Sequence, residues 1–533
     1  MDRAQISEQK NTGFPPGHHS GFLGWGAVLL ALHTFAMLFR YGCLPIAPVY
    51  GDEIVINDPA IALSRGRGLI APSFTDSIYG LDKLYAHFPP VFLYLQSLSF
   101  SRFGVSVYSL RLLTTIMSIL ASAVFILMLD RMCRWRAIGR RTGILLCSLY
   151  TLSASTIVLH RMARMESLIE FLSLISLFCV LTVVFRPAER NDGWPAITST
   201  TRTSVALLVL ASTLQGICLA THPEALTALL PISLLLLIAT TVKFRIKAAL
   251  LANTLVIPIA IWVATYGSRS MAALHQMNSI AEENHLGPSI LRYGWNLIAY
   301  LPSGPNDKMR FALFCFSVLA MLMALLRAVA SLEFYVKNPV TSPLSRGKLW
   351  THMAYAVAIP ITVILLLWFL PASITRYEVM YPIYLVGIAI SSPDGAPRPH
   401  LYSTMRVVAA LLVLLQVGAS VQYLQKNLLT SDCTPSRYDS ILRLIPSAAR
   451  VAISPQLWLA FQAQNRPITL LYREFDGMDK WKTENSAPLH QFDVIVLEDS
   501  LIEDSESYAQ YARQGRKETD FHVGSHIVRL FSR

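Results

Sequence analysis

Residues 50 to 69 read Y-G-D-E-I-V-I-N-D-P-A-I-A-L-S-R-G-R-G-L, and residues 83 to 104 read K-L-Y-A-H-F-P-P-V-F-L-Y-L-Q-S-L-S-F-S-R-F-G. This polar stretch follows the first apolar run, Phe22 to Phe39, so the adjacent acids Asp52 and Glu53 stand where the chain should leave a membrane. From Pro89 onward, apolar and aromatic residues recur at helical spacing behind a proline suited to a helix start. That helix carries Gln96, several serines and Arg102 and is only about 15 residues long, whereas a spanning helix needs roughly 20 mostly apolar residues. It is therefore expected to lie in the membrane interface. Carboxylates at the exit of a membrane helix, with a second helix flat beside them, predict chemistry at the bilayer surface.

Working outward, the 533 residues are 53% hydrophobic and only 15% charged, the composition of a multispanning membrane protein. The formal net charge of +12 does not indicate nucleic-acid binding, because most of the Lys and Arg sit in short loops between apolar runs. Apolar runs predict eleven spans, near 22–40, 106–129, 142–160, 167–185, 204–221, 224–242, 248–266, 309–329, 351–371, 378–391 and 404–424. The first is too long for a cleaved signal core, and no A-x-A site follows it, so it is expected to be retained. Loop 130–141 holds five arginines, and loops 186–203, 243–247, 327–350 and 392–406 carry three, three, four and two basic residues. All fall on one side if residues 1–21 are cytoplasmic. Loop 41–105, loop 267–308 and the C-terminal region then lie outside, on the periplasmic or extracellular face of the cytoplasmic membrane. The seven cysteines show no paired spacing; Cys43 and Cys433 alone are expected near the outer compartment, and no disulfide is predicted between them.

From about residue 425 the composition becomes that of a soluble domain. A-R-V-A-I-S and F-D-V-I-V-L-E-D are bounded strand-type runs, Pro455 to Gln464 and Tyr508 to Arg516 read as helices, and S-H-I-V-R-L-F-S-R alternates like an edge strand. Residues 425–533 are thus expected to form a small α/β domain, which has no Gly-rich phosphate loop. The fold class is an all-α polytopic membrane protein spanning 22–424, with interfacial helices in loop 41–105 and this domain appended.

Ionisable residues are costly inside a bilayer, and here they gather at the outer ends of the helices. Asp52 and Glu53 follow the first span. Arg161, Arg164, Glu166 and Glu170 lie in H-R-M-A-R-M-E-S-L-I-E, His222 and Glu224 in T-H-P-E-A-L, and Arg376 with Glu378 in S-I-T-R-Y-E-V-M-Y-P. Each has a plainer reading: Asp52 as a helix cap, Arg161 and Arg164 as headgroup anchors, His222 as a turn residue. Glu170 resists one, since it falls within an apolar run and needs a partner. Nucleotide sugars are cytosolic, and the sequence holds no D-x-D metal-nucleotide motif. A sugar on a polyprenyl phosphate in the outer leaflet fits better as donor. Its phosphate leaves with added negative charge that Arg or Lys can stabilise, and the acceptor hydroxyl needs a carboxylate base. Single displacement inverts the anomeric centre.

The Asp-Glu pair, A-x-x-L-x-x-G-x-G from Ala60 to Gly68, and H-F-P-P-V-F-L-Y-L-Q followed by F-G-V-S-V-Y-S-L-R-L resemble the GT-C membrane glycosyltransferases, above all the aminoarabinose lipid A transferases and protein O-mannosyltransferases. The resemblance is clearest over residues 20 to 180 and recurs at Arg376 to Pro382. It implies lipid A modification or protein glycosylation, with the acid of the first outer loop contacting a lipid, glycan or protein acceptor. Asp52 is the expected base and Glu53 its alternative. By resemblance Lys83, Arg161 and Arg164 bind the donor phosphate, Glu166 takes the place of a second acidic motif, and Arg376 with Tyr377 matches a late R-Y…P turn. His87, Glu170, His222 and Glu224 complete the candidate substrate-binding set. Some relatives bind a metal, but no ligand set of suitable spacing is present, so no cofactor is predicted. Asp58-Pro59 departs from the pattern: it is expected to interrupt the helix after the acid pair and cap a second short helix ended by Gly66. A polyprenyl-linked glycan ligase or polymerase remains an alternative, as does a transporter or flippase. The former relies on an outer loop rich in Arg and His; the latter places its charges near the midplane.

Overall fold

A computed structural model describes residues 20–39, 41, 51–74, 80–185, 200–223, 225–239, 242–283, 343–368, 382–387, 399–425, 438–471, 491–498, 509, 512–523 and 526–533, with scattered residues between 322 and 336. The helices are α1 (Ser20–Leu38), α2 (Gly51–Ser64), α3 (Pro90–Phe103), α4 (Val107–Arg134), α5 (Arg140–Thr151), α6 (Ala154–His160), α7 (Glu166–Phe185), α8 (Thr200–Leu219), α9 (Ala225–Ala239), α10 (Phe244–Tyr266), α11 (Ser270–Glu283), α12 (Pro343–Trp368), α13 (Pro399–Leu424), α14 (Asp439–Leu444) and α15 (Trp458–Ala463). Among the described residues, four helical stretches are long and apolar enough to cross a bilayer: 107–134, 166–185, 202–219 and 244–277. Leu255, Val256, Ile259 and Val263 of α10 stay exposed, as do Leu32 and Phe35 of α1, an apolar belt suited to a membrane-embedded protein. Most of span 309–329 and most of 378–391 lie outside the described residues, as do Cys43 and Cys433.

Local chemistry sets the elements around the first outer loop. Pro90 opens α3 at a position whose N–H would be unpaired anyway, and Gly104, at φ 72°, closes it by donating to the Phe100 carbonyl. Two residues later Ser106 and Ser109 form a reciprocal capping box that starts α4. Between the spanning helices small and polar residues make the contacts. A Cβ on Gly216 of α8 would meet Ile257 of α10 at 2.7 Å. The Ser176 hydroxyl of α7 donates to the Ala211 carbonyl of α8 at 3.1 Å, the close approach and polar glue that substitute for a hydrophobic drive in lipid.

Three sequence expectations are corrected. The third span, 142–160, is two helices, α5 and α6, broken at Leu152–Ser153. The freed carbonyls are used: Thr151 accepts from His33 of α1 at 2.8 Å and Leu152 from Ser420 of α13 at 3.1 Å. Asp58 does not cap a second helix; α2 runs unbroken through Pro59 to Ser64, and Gly66 (φ 72°) turns the chain out of it. And the final strand is not an edge.

The C-terminal sheet has β1 (Val451–Ile453), β2 (Thr469–Leu470), β3 (Val494–Glu498), β4 (Lys517–Val523) and β5 (His526–Ser532), in the order β2-β1-β3-β5-β4. β1, α15 and β2 form a parallel crossover, while β5 lies antiparallel between β3 and β4. The alternation of β5 reports that one face is covered, not that the strand lies at the rim. Of the helix expected at 508–516, Ala509 and Ala512 are helical, whereas 513–516 form a turn that leads into β4.

Candidate active site

The first turn of α2 carries Asp52 and Glu53. Asp52 is placed by its backbone only. Glu53 is buried to 1% exposure, and both its carboxylate oxygens are engaged. Oε1 accepts from the Ala163 backbone N–H, and Oε2 faces the Arg111 guanidinium of α4 at 3.7 Å, itself 1% exposed. One turn on, the Asn57 amide donates to the Glu53 carbonyl at 2.7 Å and to the Ala163 carbonyl at 2.9 Å. The start of α2 is therefore stapled to the 161–165 turn through both polar groups of a single peptide residue.

That turn is in turn fixed from below. Arg161 is buried and donates to the Ala36 and Met37 carbonyls at 2.8 and 3.0 Å, satisfying the end of α1. Arg164 meets Glu166 Oε1 at 2.7 Å, and Glu166 opens α7 with an acid at its positive end. Glu170 has the partners its position demands: the Tyr150 hydroxyl donates to Oε1, and His160 Nε2 lies 3.1 Å from Oε2. His160 Nδ1 lies 2.7 Å from Ser118 Oγ, which lies 2.9 Å from His33 Nε2. The partners fix the protons. His33 Nδ1 donates to the Thr151 carbonyl, so a neutral His33 accepts from Ser118, and Ser118 accepts from His160 Nδ1. One proton is then left to sit between His160 and Glu170.

A second cluster surrounds Lys83. Lys83 is exposed, and its carbonyl accepts from Arg269, at the start of α11, at 2.9 Å. The neighbouring backbone is held by the same segment: Tyr266 donates to the Tyr85 carbonyl at 2.9 Å, and Gln276 pairs with the Leu84 carbonyl at 2.7 Å and the Ala86 N–H at 2.8 Å. His87 lies edge-on to Phe88 at 4.3 Å between ring centroids, and Phe88 packs against His222 at 5.4 Å. Glu224, Arg376 and Tyr377 lie outside the described residues. The predicted residues thus fall into two groups, Glu53 with 161–170 and Lys83 with His87 and His222. Among the described residues no three His, Cys, Asp or Glu side chains gather as a metal site.

No protein-family profile matches the sequence, and no curated protein matches it. Solved structures do. That of ArnT from Cupriavidus metallidurans bound to undecaprenyl phosphate superposes with a TM-score of 0.53 over 96% of this chain and 98% of its own, at 14% identity. The fold is that of the GT-C membrane glycosyltransferases. The oligosaccharyltransferase of Archaeoglobus fulgidus, in a complex with Zn and sulfate, shares the GT-C arrangement at a TM-score of 0.50 and 14% identity, over 92% of this chain and 69% of its own.

Sequence reasoning missed Arg111, Asn57, His160, His33 and Arg269. Arg111 lies inside the F-G-V-S-V-Y-S-L-R-L motif, and an arginine one turn into a spanning helix was itself a signal that a buried acid was needed. Arg269 was legible as the basic residue at the mouth of loop 267–308. His33 and His160 gave none: nothing in the spacing of a histidine on the first span and one beside Arg161 says that both meet Ser118.

Proposed function

We propose that the protein is an inverting glycosyltransferase that moves a sugar from a polyprenyl-phosphate donor to a hydroxyl of a lipid, glycan or protein acceptor at the outer face of the cytoplasmic membrane. The observation that carries the reading is the engagement of Glu53. With Oε1 on Ala163 and Oε2 on Arg111, it is a fixed strut, and of the adjacent acids Asp52 is the one assigned to the reaction. Asp52 takes the proton of the acceptor hydroxyl as that oxygen attacks the anomeric carbon from the face opposite the phosphate. The bond from the anomeric carbon to the phosphate oxygen breaks, and polyprenyl phosphate leaves with the bonding pair. Lys83 and Arg269, joined through the Lys83 carbonyl, offer the positive charge that the leaving phosphate needs. The GT-C fold supports the assignment, and the ArnT structure named above carries undecaprenyl phosphate.

Thin-layer analysis of a radiolabelled polyprenyl-phosphate sugar, incubated with purified protein and membranes, tests this. Label should leave the polyprenyl carrier for the acceptor fraction. Label that crosses the membrane while still on its carrier would support a flippase instead. A panel of donors run through the same assay identifies the sugar.

A further inference from the structure

The Asp58 carboxylate is fully buried where α2 meets the C-terminal sheet region. Oδ2 accepts from the Ser73 N–H at 2.9 Å, and Oδ1 accepts from the Ser73 hydroxyl at 2.6 Å, the Trp458 indole N–H at 2.9 Å and the Gln462 amide at 3.2 Å. Gln462 is read at every atom: its amide also donates to Ser73 Oγ at 2.9 Å, and its Oε1 and backbone carbonyl accept from Arg65 at 2.7 and 2.6 Å. Trp458 and Gln462 both belong to α15, about 400 residues along the chain from Asp58 (separations of 400 and 404). Burial pushes the Asp58 carboxyl upward, and the Ser73 and Trp458 donors and the nearby Arg65 pull it back.

We propose that the C-terminal region is a working part of the active site: α15 acts through Asp58 as a latch that fixes α2 and so aims the acid pair, with Asp58, Trp458 and Gln462 as positioning residues. This rests on the transferase reading for what α2 does, but not for how it is held. Three features carry it. A carboxylate buried among four donors is stable only in that one arrangement, so the contact sets geometry where an apolar patch would merely hold surfaces together. Asn57, next to Asp58 on the helix, grips the 161–165 turn, so neighbouring residues pin α2 on two faces, about 100° apart at 3.6 residues per turn. And Pro59 deprives the Val55 carbonyl of its helical N–H donor, so α2, though continuous, lacks one internal hydrogen bond and leans on outside contacts. Asp52 and Glu53 lie within two turns of the latch.

The full-length protein is compared with Trp458→Phe, which keeps the ring but removes the donor, with Asp58→Asn, and with the double variant. Amide hydrogen exchange over residues 51–64 needs no substrate and should rise in each. At matched folded protein, kcat should fall by about tenfold to a hundredfold, the scale of a displacement near 1 Å at the reacting atoms, while KM for the donor changes less than about twofold. The double variant should be no worse than the more severe single, because both break one latch. Ser73→Ala removes a single donor and should show the same pattern at smaller size if Asp58→Asn fails to fold. Unchanged exchange over α2, undiminished turnover per folded molecule, or strictly additive losses would overturn the latch. If the wild type transfers no sugar from any donor, the transferase reading falls, and the exchange measurement alone decides whether α15 holds α2.

Discussion

Asp52→Asn keeps the size and most of the hydrogen bonding of the side chain but cannot accept a proton. If Asp52 is the base, turnover should fall by roughly 10²–10⁴-fold while binding of a non-hydrolysable donor analogue is unchanged, measured at matched folded protein. A helix cap would behave differently, since Asn caps about as well as Asp. Glu53→Gln should fail in another way. It leaves the buried Arg111 without its carboxylate partner at 3.7 Å, a loss on the order of 3–5 kcal/mol when one half of a buried pair is removed. The expected result is a lower Tm and folded yield, partly recovered when Arg111→Met is added and no buried charge is left. If Glu53→Gln folds like the wild type yet loses turnover as Asp52→Asn does, the two acids share the chemistry and the strut assignment fails. The sequence displays the adjacent acids and suggests a surface site. It does not say which acid is held, because the groups that hold Glu53 are a backbone N–H 110 residues away and an arginine on another helix.

Helices whose ends depend on distant partners are the ones misread from sequence. The stretch from Thr151 to Ser155 has neither glycine nor proline, so nothing local announces the break between α5 and α6. It exists because His33 and Ser420, at sequence separations of 118 and 268, take the carbonyls it frees. Conversely, Asp58-Pro59 looks like a stop, yet α2 continues because Asp58 is bonded by Ser73 and α15 and is not needed as a cap. The need of Glu170 for a partner was legible, since a carboxyl in an apolar helix cannot stand alone. That the partners would be Tyr150 and His160 was not. With one proton between His160 and Glu170, Glu170→Gln supplies an acceptor for Tyr150 and an N–H for His160, so it should cost less than about 1 kcal/mol. Glu170→Leu takes the carboxylate from both partners in the protein interior and should cost about 1–3 kcal/mol for each hydrogen bond lost. Thermal unfolding in detergent separates the two. Equal Tm values for Gln and Leu would show that the side chain acts there only by filling space.

At the scale of the whole molecule, α4 is the ruler. It begins at the Ser106 cap beside α3, meets Glu53 through Arg111 in its second turn, and ends 28 residues later in the arginine-rich 130–141 loop. A helix of that length spans about 42 Å, more than the hydrocarbon core of a bilayer. The acid pair and the arginine loop therefore stand at opposite ends of the bundle. The 161–165 turn joins the acid-pair end through Glu53 and Asn57, and the C-terminal sheet region joins it through Asp58 and Arg65. Sequence periodicity can report each segment's character, but only these contacts put the segments at one end. The positive-inside rule assigns the arginine end to the cytoplasm, so the acid pair and the C-terminal strands should face outward. Two exposed positions test this in a background whose native cysteines are replaced by serine: Lys517→Cys on β4 and Arg140→Cys in the arginine-rich loop. With any outer membrane made permeable, an impermeant maleimide should label position 517 in intact cells and position 140 only after the inner membrane is lysed. The reverse pattern would place Asp52 on the side where nucleotide sugars are made, and a lipid-linked donor in the outer leaflet could not reach it. Labelling at both positions before lysis would mean that the two ends do not lie on opposite sides of one membrane, and the eleven-span reading would fail with the orientation.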